Sequence, residues 1–164
     1  MIHLNNYGWN DKLSQLKQES TYNALTHGRI SIVHRTCYEV VSENGLFQCE
    51  LTGNMMYGKS DFELPCTGDW VLFQPFDEHK GIIVDMLPRE RTLYRKKNGT
   101  VADKQAIASY VDKAFIVQSL DDNFNVRRAE RFMIQMQEEN INPVLVFNKA
   151  DFCLLYTSDA ADEL

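Results

Sequence analysis

Apolar and polar positions follow two different rules along this chain, and the change comes near residue 110. Between residues 28 and 86 apolar and polar residues alternate in short runs, the period of half-buried strands. The runs cover 29–34, 38–41, 46–51, 69–73 and 81–86. Ser42-Glu43-Asn44-Gly45 separates the second from the third, and Asn-Gly is a strong hairpin signal. Residues 77–80 form a second turn, and residues 53–67 read as a longer loop. Five short strands at regular spacing predict a small β barrel, closed or nearly so, for which a five-stranded OB-fold is the best match. Ahead of it, residues 10–25 predict a short amphipathic helix, with Asn10 or Asp11 as cap and Leu13, Leu16 and Leu25 as its apolar stripe. Residues 90–110 read as a basic stretch and a polar linker around Lys97-Asn98-Gly99-Thr100.

The second rule starts with Ala114-Phe115-Ile116-Val117-Gln118-Ser119-Leu120, a near-continuous apolar run of the kind found in buried parallel strands. Asp121-Asp122-Asn123-Phe124-Asn125 then reads as a capping cluster for a helix over about 126–139, with Ala129, Phe132, Met133 and Met136 on its inner side. Residues 140–143 break that helix, and Val144-Leu145-Val146-Phe147 is a second buried strand. The unit is βαβ, right-handed by default, and it ends at Asn148-Lys149-Ala150-Asp151. Ligands of open α/β sheets bind beyond the C-terminal ends of the strands. An Asn-Lys-x-Asp tetrad in that position reads guanine. The Asp151 carboxylate can accept parallel hydrogen bonds from the ring N–H and the exocyclic amine, a pair adenine does not present. The Lys149 stem can lie along the base, while Asn148 either ties the loop or meets the ring's acceptor edge. Such a site needs a phosphate cradle of the G-x-x-x-x-G-K-[ST] type. The one literal match before the tetrad, at residues 53–60, lies in the 53–67 loop between alternating strands and not between a buried strand and a helix, which implies a permuted order of GTPase elements.

Composition adjusts this picture in three places. The chain has 164 residues, 44% hydrophobic and 24% charged, which is a globular rather than a disordered balance. There is no run of eighteen apolar residues and no signal-peptide pattern at Met1-Ile2-His3-Leu4-Asn5-Asn6, so a cytoplasmic protein without a membrane span is expected. Four cysteines without a C-x-x-C pair and four scattered histidines give no metal site. The net charge of −6 argues against nucleic acid only superficially. Arg89, Arg91, Arg95, Lys96 and Lys97 face only Glu90 within nine residues, and a local patch of this kind binds phosphates or is a solvated basic loop. Trp70 and Phe73 are either barrel core or base-stacking residues, and Arg127, Arg128 and Arg131 are assigned no RNA role.

An ordered set of short matches joins these elements: Gly68-Asp69-Trp70-Val71, Leu87-Pro88-Arg89, Gln105-Ala106-Ile107-Ala108, Val111-Asp112, Phe124-Asn125, Glu130-Arg131 and the tetrad. Over about residues 28–151 the chain thereby resembles the ribosome small subunit-dependent GTPase A family, circularly permuted GTPases of late small-subunit maturation. Tyr110, where Asn is expected, is a minor departure. The resemblance implies an OB-fold followed by the first βαβ portion of an α/β P-loop-type GTPase domain, circularly permuted and incomplete. The implied domains are an N-terminal segment at 1–27, an rRNA-binding barrel at 28–100 and a partial GTPase domain at 101–152. GTP is the implied ligand, with Mg²⁺ and a structural zinc held only by residues beyond Asp151. The implied partner is the small ribosomal subunit with its rRNA, and a monomer is expected.

Residues 153–164 are expected to be foreign. Cys153-Leu154-Leu155-Tyr156-Thr157-Ser158-Asp159-Ala160-Ala161-Asp162 is what a sequencing-library transposon adapter gives on translation, and Phe152 stands where the family usually has Leu. They are excluded from functional reasoning. Two functions from different classes follow. The parent is a GTPase that hydrolyses GTP on the small subunit. The chain as it stands is a non-catalytic rRNA-binding barrel carrying half of a guanine-nucleotide site.

Overall fold

All five alternating runs form strands, and each strand's inward residues meet in one core. In the computed structural model, residues 1–96 and 104–151 are described, and they fall into two compact units divided between Tyr110 and Val111. In the first unit β1 (Thr26–Val33), β2 (Tyr38–Ser42), β3 (Gly45–Leu51), β4 (Trp70–Asp77) and β5 (Lys80–Met86) close a barrel in the order β1-β2-β3-β5-β4. Every pairing is antiparallel except β3 with β5, where Cys49 lies opposite Gly81. This is the OB-fold arrangement. A β-bulge between Ile30 and Ile32 gives β1 the sharper twist that lets it bond to β2 on one side and β4 on the other. The core is Ile30, Val40, Phe47, Cys49, Met55, Val71, Phe73 and Ile83. Phe73 is therefore core, and so is Trp70, which is 1% exposed.

The N-terminal segment closes a second apolar layer over the outside of the barrel. A 3-10 turn (Leu4–Tyr7) and α1 (Asp11–Glu19) lay Leu4 and Leu13 against Val41, Trp70, Leu72 and Leu87. Asn10 is the residue that caps α1, its side chain accepting from the Leu13 N–H at 3.0 Å. Trp9 meets Trp70 edge-on at 4.9 Å. The long loop contains one short helix, α2 (Gly53–Met56), whose Met55 enters the core. After it, Gly68 has φ +94, and a Cβ there would collide with the Ser109 carbonyl, so the Gly68-Asp69 turn requires glycine.

Residues 90–110, expected to carry a basic stretch and a polar linker at 97–100, contain a hairpin. β6 (Leu93–Lys96) pairs antiparallel with β7 (Lys104–Ala108), with Arg95 opposite Gln105. Residues 97–103, including Lys97, and residues 152–164, including the expected foreign tail, lie outside the described residues. The first unit therefore includes this hairpin, and the second begins at Val111.

In the second unit β8 (Lys113–Ser119) and β9 (Asn142–Asn148) run parallel and in register, from Lys113 opposite Asn142 to Ser119 opposite Asn148. They are connected through α3 (Val126–Glu138). Asn125 caps that helix, its side chain accepting from Arg128 N–H at 2.9 Å. Ala129 and Met136 are buried, as expected of the inner side, and Met133 is half-buried. Phe132, placed there too, is 42% exposed, because the sheet beneath α3 is only two strands wide.

Candidate guanine-binding site

The tetrad lies where a parallel sheet offers a site. β8 ends at Ser119 and β9 at Asn148, directly opposite one another, and Leu120 N–H donates to the Asn148 carbonyl at 2.9 Å to hold the two ends level. The chain then turns sharply, with Lys149 at φ 58. That left-handed conformation costs a non-glycine residue about 1–2 kcal/mol, and such strain gathers at functional sites. Asn148 supports the turn, its Oδ1 accepting from the Lys149 N–H at 2.8 Å. Lys149 and Asp151 are exposed at the strand end.

Lys149 is not a free cation. Its ammonium donates to Oδ2 of Asp121 at 2.7 Å. The other Asp121 oxygen accepts from Ser119 Oγ at 2.7 Å and from the Asn123 N–H at 2.9 Å. These hydrogen bonds, the one from Lys149 first, hold the Asp121 carboxyl well below the usual carboxylate range. The same pair raises the Lys149 ammonium above its ordinary value, with Asp151 adding a smaller contribution. The sequence pattern assigns residues 121–125 to helix capping. Only Asn125 does that work, and Asp121 serves the tetrad. The signal that could have found it is a Ser-x-Asp at the end of a buried strand, beside the point where a parallel neighbour must end.

The basic stretch divides. Arg89 is turned inward, its side chain only 10% exposed against an Asp69 that is fully buried. Its Nε donates to both Asp69 oxygens at 2.9 and 3.1 Å, and Nη2 reaches Oδ2 at 2.6 Å. Nη1 and Nη2 also donate to the carbonyls of Phe62 and Leu64, and the ring of Phe62 lies 5.8 Å from the guanidinium. Asp69 Oδ2 accepts from the Cys66 N–H at 2.7 Å as well. These donors are used inside the unit, which removes Arg89 from the expected RNA contacts. Burial and the Asp69 charge push the Cys66 thiol up to about 12, so it stays protonated. Arg91 is half-buried, at φ 45, with Nη1 3.4 Å from Glu90. Arg95 is exposed on the hairpin, bonded through Nε to Gln105 at 2.9 Å. Lys96 ends β6, and across the hairpin Lys104 places its ammonium 4.2 Å from the Tyr94 ring centroid.

A five-stranded OB barrel followed by a parallel βαβ unit that ends in an Asn-Lys-x-Asp tetrad is the fold of a class, the circularly permuted GTPases. A family model described as RsgA GTPase matches residues 86–162 of the chain. The chain is 71% identical over 149 residues to the small ribosomal subunit biogenesis GTPase RsgA 1 of Bacteroides thetaiotaomicron, covering 91% of this chain and 42% of that protein. The corresponding RsgA 2 of Lactiplantibacillus plantarum is 36% identical over 129 residues, or 77% of this chain and 36% of the relative. Among solved structures, YloQ, a circularly permuted GTPase, superposes with TM-score 0.54 at 21% identity over 88% of this chain and 49% of its own. YjeQ from Thermotoga maritima gives 0.55 at 20% identity over 85% and 48%. The chain therefore spans less than half the length of these relatives. No helix among the described residues is long and apolar enough to cross a membrane.

Proposed function

We propose that this chain is a piece of a GTPase that binds and hydrolyses GTP on the small ribosomal subunit during its maturation, in the cytoplasm and as a monomer. The carrying observation is the tetrad's position: Asn148, Lys149 and Asp151 stand at the C-terminal end of a parallel strand, in a chain 71% identical to a protein named for that activity. Asp151 reads the guanine N–H and amine, the Lys149 stem supports the base, and Asn148 shapes the loop. Phosphate and Mg²⁺ contacts, and a zinc site, are proposed for the portion of the relatives' length that this chain does not span. Among the described residues no group of three His, Cys, Asp or Glu side chains could hold a metal, and no step is assigned to either ion here.

Asp151→Asn tests the reading. An amide donor would then face the guanine amine, a mismatch worth on the order of 1–3 kcal/mol. In titrations followed by amide shifts, GMP affinity should fall by roughly 5–150-fold, while xanthosine monophosphate, which offers a carbonyl there, should gain. Unchanged GMP binding with no gain for the xanthine nucleotide would show that Asp151 does not read the base.

The alternative, that the chain as it stands is a non-catalytic rRNA-binding barrel with half a nucleotide site, is favoured by one observation: the one literal G-x-x-x-x-G-K-S match, at residues 53–60, belongs to the barrel, with its helix before the Gly-Lys-Ser and Met55 in the core. Both readings share an RNA surface, proposed at Arg91, Arg95, Lys96 and Lys97. Binding to small-subunit rRNA should weaken steeply with salt, because released counterions drive it. Alanine at Arg95, Lys96 and Lys97 together should lower the log–log salt slope by roughly 2–3, since each phosphate left without its cation removes about 0.7–0.9. A filter-binding series from low to moderate salt measures this, and an unaltered slope would make the hairpin a solvated loop.

A further inference from the structure

The Lys149–Asp121 pair has a direction. A lysine whose only task is a positive charge at the strand end has no need of a carboxylate held in one orientation. Asp121 is so held: Ser119 and Asn123 bind Oδ1, leaving Oδ2 aimed at the ammonium of Lys149. The lysine starts from a left-handed backbone at the end of β9, and its ammonium is anchored to a residue two positions past the end of β8. Its four-methylene stem is thus stretched across the C-terminal edges of both strands. A stem anchored at both ends is an apolar rail on which a planar base can lie. An unanchored lysine would lose side-chain entropy on ordering.

We propose that Asp121 is a positioning residue of the guanine site, pre-ordering Lys149 as the surface on which the base rests; this depends on the base-reading role of the tetrad proposed above. Asp121 does not touch the base. It acts through Lys149 alone, and that separates it from a residue that merely shapes the turn after β8.

The test is a double-mutant cycle on the full 164-residue chain, with GMP as probe and AMP as control, read by amide shift changes at the tetrad. Asp121→Asn is the apt change. The amide oxygen still accepts from Ser119 and Asn123, so the turn is kept, while its NH₂ faces the ammonium donor to donor. Unchanged spectra for β8 and α3 would verify that the unit is intact. Asp121→Asn should weaken GMP binding at least fivefold in the native background and have no effect when Lys149 is Ala, because the residue it positions is then gone. The ammonium resonance of Lys149, sharp when ion-paired, should broaden in the variant. GMP binding that is unchanged or tighter in Asp121→Asn overturns the inference, as does equal weakening in both backgrounds. If Asp151→Asn abolishes GMP selectivity in the same series, the base-reading site survives that failure. If the native chain itself shows no preference for GMP over AMP, the base-reading site falls and the positioning role with it.

Discussion

Arg89→Ala should cost the barrel on the order of 3–5 kcal/mol, the penalty for removing one partner of a buried ion pair. Domains of this size have roughly 5–15 kcal/mol of total stability, so the variant should unfold at much lower urea concentration. The reason is the company Arg89 keeps. Asp69 is fully buried, and without the guanidinium its carboxylate is left with the backbone N–H and the thiol of Cys66. The carbonyls of Phe62 and Leu64 lose their donors in the same step. The loop from α2 to β4 would then separate from the end of β5, opening the turn at Gly68. Arg89→Lys should recover little, since one ammonium cannot reproduce the fork that serves three acceptor groups. Replacing Asp69 and Arg89 together by leucine should be milder than Arg89→Ala, because no buried charge is left alone. Urea titration followed by Trp9 and Trp70 fluorescence reads all three. A loss below about 1 kcal/mol for Arg89→Ala, the scale of an exposed pair, would mean that the clamp is open in solution.

That clamp also shows where the sequence misleads. The barrel strands are legible because each is a short alternating run bounded by its own turn, and both signals are local. The tetrad is legible for the same reason, as four residues at the end of an apolar run. Arg89 groups with Arg91 and Arg95 by proximity along the chain, but charge counting carries no information about the direction of a side chain. Its partner Asp69 is twenty residues earlier and becomes a neighbour only after β4 and β5 have paired. The β6–β7 hairpin escapes because Tyr94-Arg95-Lys96 and Lys104-Gln105 are too polar for an alternation to stand out. Its register comes from cross-strand pairs such as Tyr94 with Ala106. Asp121 escapes because its meaning depends on Lys149, twenty-eight residues away and brought near only by the parallel register of β8 and β9. In each case the missed feature joins a charged or polar residue to a partner distant in sequence.

The 164-residue chain should show no GTP turnover above background, with or without small subunits, and its second unit should exchange amide protons far faster than its barrel. Phosphoryl transfer depends on positioning and on charge stabilisation at the phosphates, and the one literal G-x-x-x-x-G-K-[ST] match, at residues 53–60, supplies neither, because its helix precedes the Gly-Lys-Ser and its Met55 is barrel core. The stability argument is independent of the chemistry. Two strands are marginal as a sheet, and among the described residues α3 packs against β8 and β9, where Ile116 and Gln118 are each 6% exposed. Phe115 and Val117 remain 67% and 61% exposed, and Leu145 and Phe147 are also open to solvent. Burying a large apolar side chain is worth about 1.5–3 kcal/mol, and these four contribute only part of that. β8 and β9 should therefore open at low free energy, while β1, β4 and β5 open only with the whole barrel. The open apolar face and the free strand edges should also make the second unit the origin of aggregation. Hydrogen exchange resolved by residue, run beside a phosphate-release assay, tests both statements. Amides of β9 as protected as those of β4 would show that the βαβ unit is stable as it stands, and measurable turnover would show that the chain handles phosphate by a route its sequence does not reveal.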